Sequence, residues 1–468
     1  MMPVVLWTDA LIFLLTAVVI LFVIYARSKP HLRAPWHRVL KGRIAAGSVV
    51  VLLAFVIVGL LDSVHFRLPL KDNGNNQETH YSVEVLSTLD VLLGSIRTQV
   101  EKTYSAPFAT HLFAKETIER GDGTKVRDYP RLEYGGAHLT ASGKDKGQDI
   151  LQRVLLAIVE ALLAGTIVLY LTAMLLGRRT GRSSREMTRA ILTRKTALPW
   201  RTILLTITLL LLIILLSVNL ASVYHVLGTD KVGQDVFYLT LKSIRTGLVI
   251  GTLTTLIMLP FAIFMGIIAG YARGWIDDVV QYIYTTLNSI PGVLLIAASI
   301  LMLQVYIANH PEYFETTVER ADIRLLFLCI ILGITSWTGL CRLLRGESLK
   351  LRESEYIQAA VSFGVAHGKI ITRHILPNVM HVVLITVVLD FSGLVLAEAV
   401  LSYVGVGVDP TMNSWGNMIN SARLEMAREP VVWWSLLSAF LFMFVLVLAA
   451  NLFSDAVRDA FDPRTRER

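Results

Sequence analysis

The sequence predicts an all-α membrane protein of about nine transmembrane helices, and three observations carry that expectation. Of 468 residues, 54% are hydrophobic and only 17% charged, where a soluble domain is about half apolar and about a quarter charged. The apolar residues form blocks long enough to cross a bilayer. The 44 Lys+Arg outnumber 36 Asp+Glu, and the surplus gathers in short loops between blocks, as it does on the cytoplasmic side of membrane proteins. Disordered, collagen-like and nucleic-acid-tail readings are excluded by the same composition.

The blocks run over residues 4–26, 44–61, 154–176, 202–221, 246–272, 280–307, 324–339, 382–400 and 431–452, against about 20 residues needed to span. The first has no preceding basic residue and no small-residue cleavage site, so it reads as a span and not a secretory signal. After it come Arg27, Lys29, Arg33, Arg38, Lys41 and Arg43 without an acid. After the third come Arg178, Arg179, Arg182, Arg185, Arg189, Arg194, Lys195 and Arg201, opposed only by Glu186. Both loops are expected in the cytoplasm, which puts the N-terminus outside and the C-terminus, residues 458–468, inside.

Residues 62–149 form the long polar stretch, expected outside. It carries turn formers at Asn73-Gly74, Gly121-Asp122-Gly123 and Gly135-Gly136 and is expected to fold as a small domain. Leu86, Leu89, Leu93 and Ile96 would share one face of a helix over residues 83–96.

Ionisable residues within the blocks are few. Glu160, Asp390 and Glu398 are expected to face protein or water; packing inside the bundle is favoured over a proton relay, because no chain of acids and histidines joins them. Cys329 and Cys341 would lie about 18 Å apart on one helix, too far to bond. Trp433 and Trp434 read as interfacial anchors. No G-x-x-x-x-G-K-S/T loop, no H-E-x-x-H and no nucleophile elbow occurs, so no catalytic residue, metal site or cofactor is assigned.

The loop at 353–378 carries the mechanism. Ser354 or Glu353 can start a short helix, and Gly364 can end it with a positive φ. Tyr356, Ile357 and Phe363 give an apolar stripe that could enter a groove. Ala359 and Ala360 let another surface approach the backbone. A second short helix is expected to stop near Pro377. A short helix between two spans acts as a lever on both.

Ala359-Ala360, Gly364, then Ile371, His374, Ile375, Leu376 and Pro377 resemble the EAA loop of ABC-importer permeases, with Gln358 where the glutamate is expected. Other stretches match in order: Gly228-Thr229-Asp230 to Gly233-Gln234-Asp235; Ala269-Gly270-Tyr271 to Asp277, with Asn288-Ser289-Ile290-Pro291; Leu401 to Gly407, with Ser414-Trp415-Gly416-Asn417-Met418; and Asn451-Leu452-Phe453 to Asp459, with Asp462-Pro463-Arg464. Together they resemble the C-type permease subunit of the dipeptide/oligopeptide import family, to which nickel and antimicrobial-peptide uptake permeases belong. The resemblance covers residues 228–464 and extends to the second block.

That resemblance implies a type I ABC-importer permease core, importing short peptides through the bacterial inner membrane. It implies a second permease subunit, two ABC ATPase subunits holding ATP and Mg, and an external solute-binding protein. Tyr356, Ile357, Gln358, Ala359, Ala360, Phe363, Gly364 and Pro377 would couple to an ATPase. Asp230, Asp235, Ser414, Trp415 and Asn417 would meet the binding protein or the passage, although the two aspartates could equally cap the following helix.

The usual relative has six spans, so three are extra here. The chain divides into an added N-terminal helix and basic loop (1–43), a first core helix (44–61), the insert (62–149), an added helix pair (150–227) and the permease core (228–468). An internal echo links residues 138–149, ending Lys144-Asp145-Lys146-Gly147-Gln148-Asp149, with 225–235, ending Lys231-Val232-Gly233-Gln234-Asp235; each precedes a span. Within the family the alternative is a nickel or other small-solute permease. From other classes, a secondary transporter would need interrupted helices at midplane, and a membrane enzyme lacks its motif.

Overall fold

The computed structural model describes residues 2–69, 80–119, 125–139, 145–314 and 316–461. Helices α1 (Trp7–Ser28), α2 (Pro30–Lys41) and α3 (Arg43–Asp62) come first. In the insert lie α4 (Thr88–Leu92) and α5 (Gly94–Thr98). Helices α6 (Lys146–Thr180) and α8 (Trp200–Ala221), the pair read from the sequence as additional, are joined through the short α7 (Ser184–Leu192). Then follow α9 (Val236–Ala272), α10 (Trp275–Ser289), α11 (Gly292–Asn309), α12 (Thr317–Arg352), α13 (Glu355–Ser362), α14 (His367–Ile370), α15 (Leu376–Val404), α16 (Trp415–Glu425) and α17 (Trp434–Phe461). Strands are minor: β1 (Met2–Val4), β2 (His65–Arg67) and β3 (Leu86–Ser87) form one antiparallel sheet, and β4 (Glu116–Glu119) pairs with β5 (Lys125–Asp128). Among the described residues nine helices are long and apolar enough to cross a membrane, so the protein is an all-α, multi-pass membrane protein.

Several boundaries differ from the sequence reading. The block at 280–307 is two helices, because Pro291 has no N–H to give and forces Ile290 to an extended ψ of 128°. Only α11 of the two has spanning character. The block at 324–339 runs on to 36 residues, since charged ends do not interrupt a helical backbone. Pro377 does not stop a helix. The backbone from His367 to Val404 is continuous, and it widens into a π turn at Ile371–Ile375 just before the proline. That wider turn accommodates the ring and the missing donor. The expected helix over 83–96 is broken into β3, α4 and α5, although Leu86, Leu89 and Ile96 are buried as the spacing implies. Trp434 is buried and bonded, not an interfacial anchor; Trp433 is 47% exposed. The turns at Asn73-Gly74 and Gly121-Asp122-Gly123, the motif Asp462-Pro463-Arg464 and Lys144 of the echo lie outside the described residues.

The described residues fall into two compact units. The first holds residues 2–4, 37–245 and 413–452. In it α6 and α8 form a hairpin, and Met187 and Ile191 of α7 pack with Ala173 and Leu204. Glu160 accepts from Asn219 Nδ2 at 2.9 Å, so this bilayer-depth carboxylate is paired. The insert belongs to this unit. Lys242 of α9 ties it down, bonding Asp62 at 2.7 Å and Asp90 of α4 at 2.9 Å.

The second unit holds residues 5–36, 246–412 and 453–461. Its core runs between α9, α12 and α15, with Leu340, Cys341, Leu344, Ile370, Ile375 and Val379 fully or almost fully buried. Both cysteines are free and buried. Helix α1 is docked on α12: the Thr8 backbone N–H donates to Asp322 Oδ2 at 3.2 Å, and its hydroxyl to Oδ1. Helix α10 is clamped to α12 by a bidentate pair, Arg345 to Asp277, at 2.5 and 2.7 Å. Glu398 accepts from Ser402 at 2.7 Å; no hydrogen bond to Asp390 is formed among the described residues.

Small residues let α9 approach α12 closely. A Cβ on Gly270 would stand 2.5 Å from the Arg345 carbonyl oxygen and 2.6 Å from Ser348 Cβ. Gly270→Leu should therefore destabilise the protein by about 1–3 kcal/mol through overpacking. Thermal unfolding of the purified chain in detergent measures it, and an unchanged midpoint would contradict this packing.

Candidate functional site

Two regions gather the residues singled out by sequence. The first is the loop between α12 and α15. Ser354 is extended (φ −71°, ψ 141°) and its carbonyl accepts from Ile357 and Gln358, each at 3.1 Å, so α13 begins there. At the other end Gly364 adopts φ +72°. Its N–H donates to the Val361 carbonyl at 2.9 Å, and Val365 N–H to that of Ala360 at 3.1 Å. This pair of bonds is the Schellman arrangement, and it closes the helix with its last carbonyls satisfied.

The expected apolar stripe divides. Ile357 is fully buried against the core that holds Ile370, Ile375 and Val379, because an eight-residue helix needs one anchor and Ile357 faces inward. Phe363 is 87% exposed and Tyr356 47%. Gln358 and Ala359 are exposed, Ala360 is half-buried against the core, and Pro377 is exposed. The exposed residues of this segment therefore include Tyr356, Gln358, Ala359, Val361 and Phe363. The Gln358 amide donates to the Glu353 carbonyl at 3.1 Å, so its side chain is used within the loop.

Behind α13 opens a cavity of about 840 Å³, lined in part by Tyr271, Arg273, Arg352, Gln358, Ser362 and His367. Tyr271 ties it together. Its hydroxyl bonds His367 Nδ1 at 2.7 Å, its carbonyl accepts from Arg352 at 2.6 Å, and that guanidinium lies 5.8 Å over its ring. Arg273 pairs with Glu353. Tyr271 belongs to the Ala269-Gly270-Tyr271 motif read from the sequence, whereas Arg352 and His367 were not singled out there. That motif was the available signal.

The second region is the segment Gly228–Asp235 and its surroundings. Asp235 is 2% exposed. One oxygen accepts from the N–H groups of Phe237 and Tyr238, capping α9. The other bonds His225 Nδ1 at 2.7 Å, and His225 Nε2 lies 3.3 Å from Glu101 Oε1. Glu101 also accepts from the backbone of Glu133, Tyr134 and Gly135. Asp230 closes its own turn, accepting from Val232 and Gln234. Ser414 is buried and caps α16 through Asn417 N–H at 2.9 Å. Trp415 is 1% exposed and its indole donates to the Thr240 carbonyl at 3.1 Å. Trp434 donates likewise to Thr229. Asn417 is half-buried. Of the five residues proposed for this face, Asp235, Ser414 and Trp415 are thus engaged internally, and Asp230 and Asn417 keep partial exposure.

The echo has a structural counterpart. His138 Nε2 bonds Asp149 Oδ2 at 3.0 Å, as His225 bonds Asp235. Tyr224, next to His225, also donates to Asp149, at 2.8 Å.

Electrostatics explain the buried triad. Burial pushes His225 down, but the bonds to Asp235 and Glu101 outweigh it and raise its pKa from 6.5 to about 9. Burial pushes Glu101 up, but His225 and three backbone donors bring it from 4.5 to about 2.

Comparison with known proteins follows the same outline. Residues 262–467 match the family described as binding-protein-dependent transport system inner membrane component. The chain is 31% identical over 243 residues to the oligopeptide transport system permease protein OppC of Haemophilus influenzae, covering 52% of this chain and 71% of that one. It is 31% identical over 242 residues to the glutathione transport system permease protein GsiD of Pectobacterium atrosepticum, 52% and 73% of the two chains. It is 32% identical to OppC of Mycobacterium tuberculosis strain H37Rv, covering 52% and 77%.

The triad generates a pH prediction. The raised His225 contributes stability that is complete below pH 6.5 and lost as pH rises through about 9. The lowered Glu101 contributes stability present above pH 4.5 and lost as pH falls through about 2. Amide-exchange protection of residues 99–105 should therefore be higher at pH 6 than at pH 10, after correction for intrinsic exchange. His225→Gln should lower it at pH 6 and remove the difference. A wild-type profile with no fall above pH 9 would contradict the assignment.

Proposed function

The chain belongs to the family of binding-protein-dependent inner-membrane permease components of ABC importers, and from that premise we propose that it forms one half of a passage for short peptides. A second permease subunit supplies the other half. Two separate ATPase subunits hold ATP and Mg, and an external solute-binding protein delivers the solute. The N-terminus lies outside, and the loop around α13 and the C-terminus lie in the cytoplasm, as the basic loops favour. Peptides are the favoured cargo because the relatives carry oligopeptide, dipeptide and glutathione transport names.

The observation that carries this reading is the state of α13. Its inward side is pinned by Ile357 and its end is closed by Gly364, while Phe363 projects 87% exposed from a short helix between two long ones. An aromatic side chain left 87% exposed by the described residues suits a groove on a partner. Closure of the ATPase pair would press on α13, and α12 and α15 would move with it.

Phe363→Ala should weaken copurification of the ATPase by about 2 kcal/mol, roughly thirtyfold in affinity. The same variant should leave the permease's own unfolding within about 0.5 kcal/mol, since the ring is exposed. Gly364→Val should abolish ATP-dependent uptake while the chain still inserts, because a β-branched residue strains at positive φ. A cross-linker at Ala359→Cys should capture the ATPase. Capture of no nucleotide-hydrolysing neighbour in a working complex would overturn the coupling assignment.

A further inference from the structure

Four cations surround one small cavity in the first unit. Lys41 ends α2, Arg43 opens α3, Arg194 lies just after α7, and Arg201 sits in the first turn of α8. With residues 196–199 and 202 they line about 170 Å³, and no acidic residue is among the lining. None of the four has an ion pair with a described residue. Arg201 reaches the Leu192 carbonyl at 3.4 Å. The cluster is the meeting point of both basic loops read from the sequence, and the transport reading makes no use of it.

The cluster is held in place by backbone. Arg194 adopts φ +61°, and Lys195 N–H donates back to the Ala190 carbonyl at 2.8 Å. Helices α3 and α8 both begin here with no acid in the first turn, so the positive ends of their dipoles add to the local potential. Like charges fixed around a cavity repel one another unless an anion enters.

What lies beside the cavity narrows the anion. Helices α3 and α8 meet closely there: a Cβ on Gly47 would stand 3.4 Å from Thr206 Oγ1. Just past the cations, exposed apolar side chains begin, with Ile44 at 66% and Leu205 at 62%. A cationic pocket that continues into exposed apolar helix faces fits a molecule with an anionic phosphate head and hydrocarbon tails.

We propose that this cavity binds the phosphate of an anionic phospholipid, with its acyl chains along α3 and α8. The lipid neutralises the four cations at the seam where the added α6–α8 pair meets α3. Inorganic phosphate shares the charge and lacks the tails, so the two sources separate by experiment.

The full chain, purified in its transport complex, is reconstituted in phosphatidylcholine vesicles with or without phosphatidylglycerol, and retained lipid is counted by native mass spectrometry after mild delipidation. Wild type should retain phosphatidylglycerol selectively. Arg43→Gln with Arg201→Gln should lower that retention roughly tenfold or more. Arg178→Gln with Arg185→Gln, removing equal charge from outside the cavity, should leave it unchanged. Thr196→Glu places an acid in the cavity without removing any cation, so it preserves the topology signal and should also abolish retention. Phosphatidylglycerol should raise the unfolding temperature of wild type, and inorganic phosphate should not. Equal losses in both double variants would mean diffuse charge attraction and overturn the site. Equal stabilisation by inorganic phosphate would overturn the lipid assignment, and so would the absence of selective retention.

Discussion

A helix of eight residues does not hold itself together in water, so everything asked of α13 depends on how its ends and one side are tied. Ile357 supplies the side, fully buried. Gly364 supplies the end, with two bonds that return to Val361 and Ala360. With those in place the remaining face is free to be offered elsewhere. The tie to Ile370, Ile375 and Val379 packs α13 against the start of the following span.

On the other unit the same economy is achieved with charge. The segment Gly228–Asp235 has few apolar side chains to bury, and its fixed shape comes from hydrogen bonds. Thr229, Asp230 and Asp235 each accept or donate within a few residues or to the insert at Thr103 and Ser105. Glu101 completes it from 124 residues away. A His between two carboxylates, each also receiving backbone N–H groups, is a satisfied network, which is the condition under which buried polar groups rigidify a fold. The described part of the insert is thus built into this unit through Glu101, Asp90 and Asp62.

How much of this was legible beforehand follows from range. Signals that act over a few residues were readable: the start at Ser354, the positive φ of Gly364, the cap at Asp235 and the nine spanning segments. The break at Pro291 was signalled by the proline, but the apolar run passes over it unchanged, and hydropathy alone joined the two helices. Pro377 misled in the opposite direction, because a π turn upstream absorbed its effect and no residue pattern marks that turn. The inward turn of Ile357 was not readable from α13 itself: apolar residues occur on both of its faces, and only the core beneath decides. The Glu101–His225 contact was out of reach for a simpler reason. Its partners lie far apart in the chain, and Glu101 sits in a polar stretch where nothing marks one carboxylate from the next.

The length of α12 links the loop around α13 to the N-terminal helix α1. Its 36 residues extend about 54 Å at 1.5 Å per residue, well beyond the roughly 30 Å hydrocarbon core. One end delivers the chain to α13. The other begins with a capping box at Thr316 and Glu319 and, within two turns, presents Asp322 to Thr8. A nearly complete burial of both partners, 0% and 1% exposed, makes that bond costly to break without a replacement. Between these ends α12 is clamped to α10 by Arg345 and packed on α9 at Gly266 and Gly270. A rigid rod gripped at both ends moves as a whole or not at all. The Thr8–Asp322 contact thus ties α1 to the end of α12 opposite the one that leads into α13.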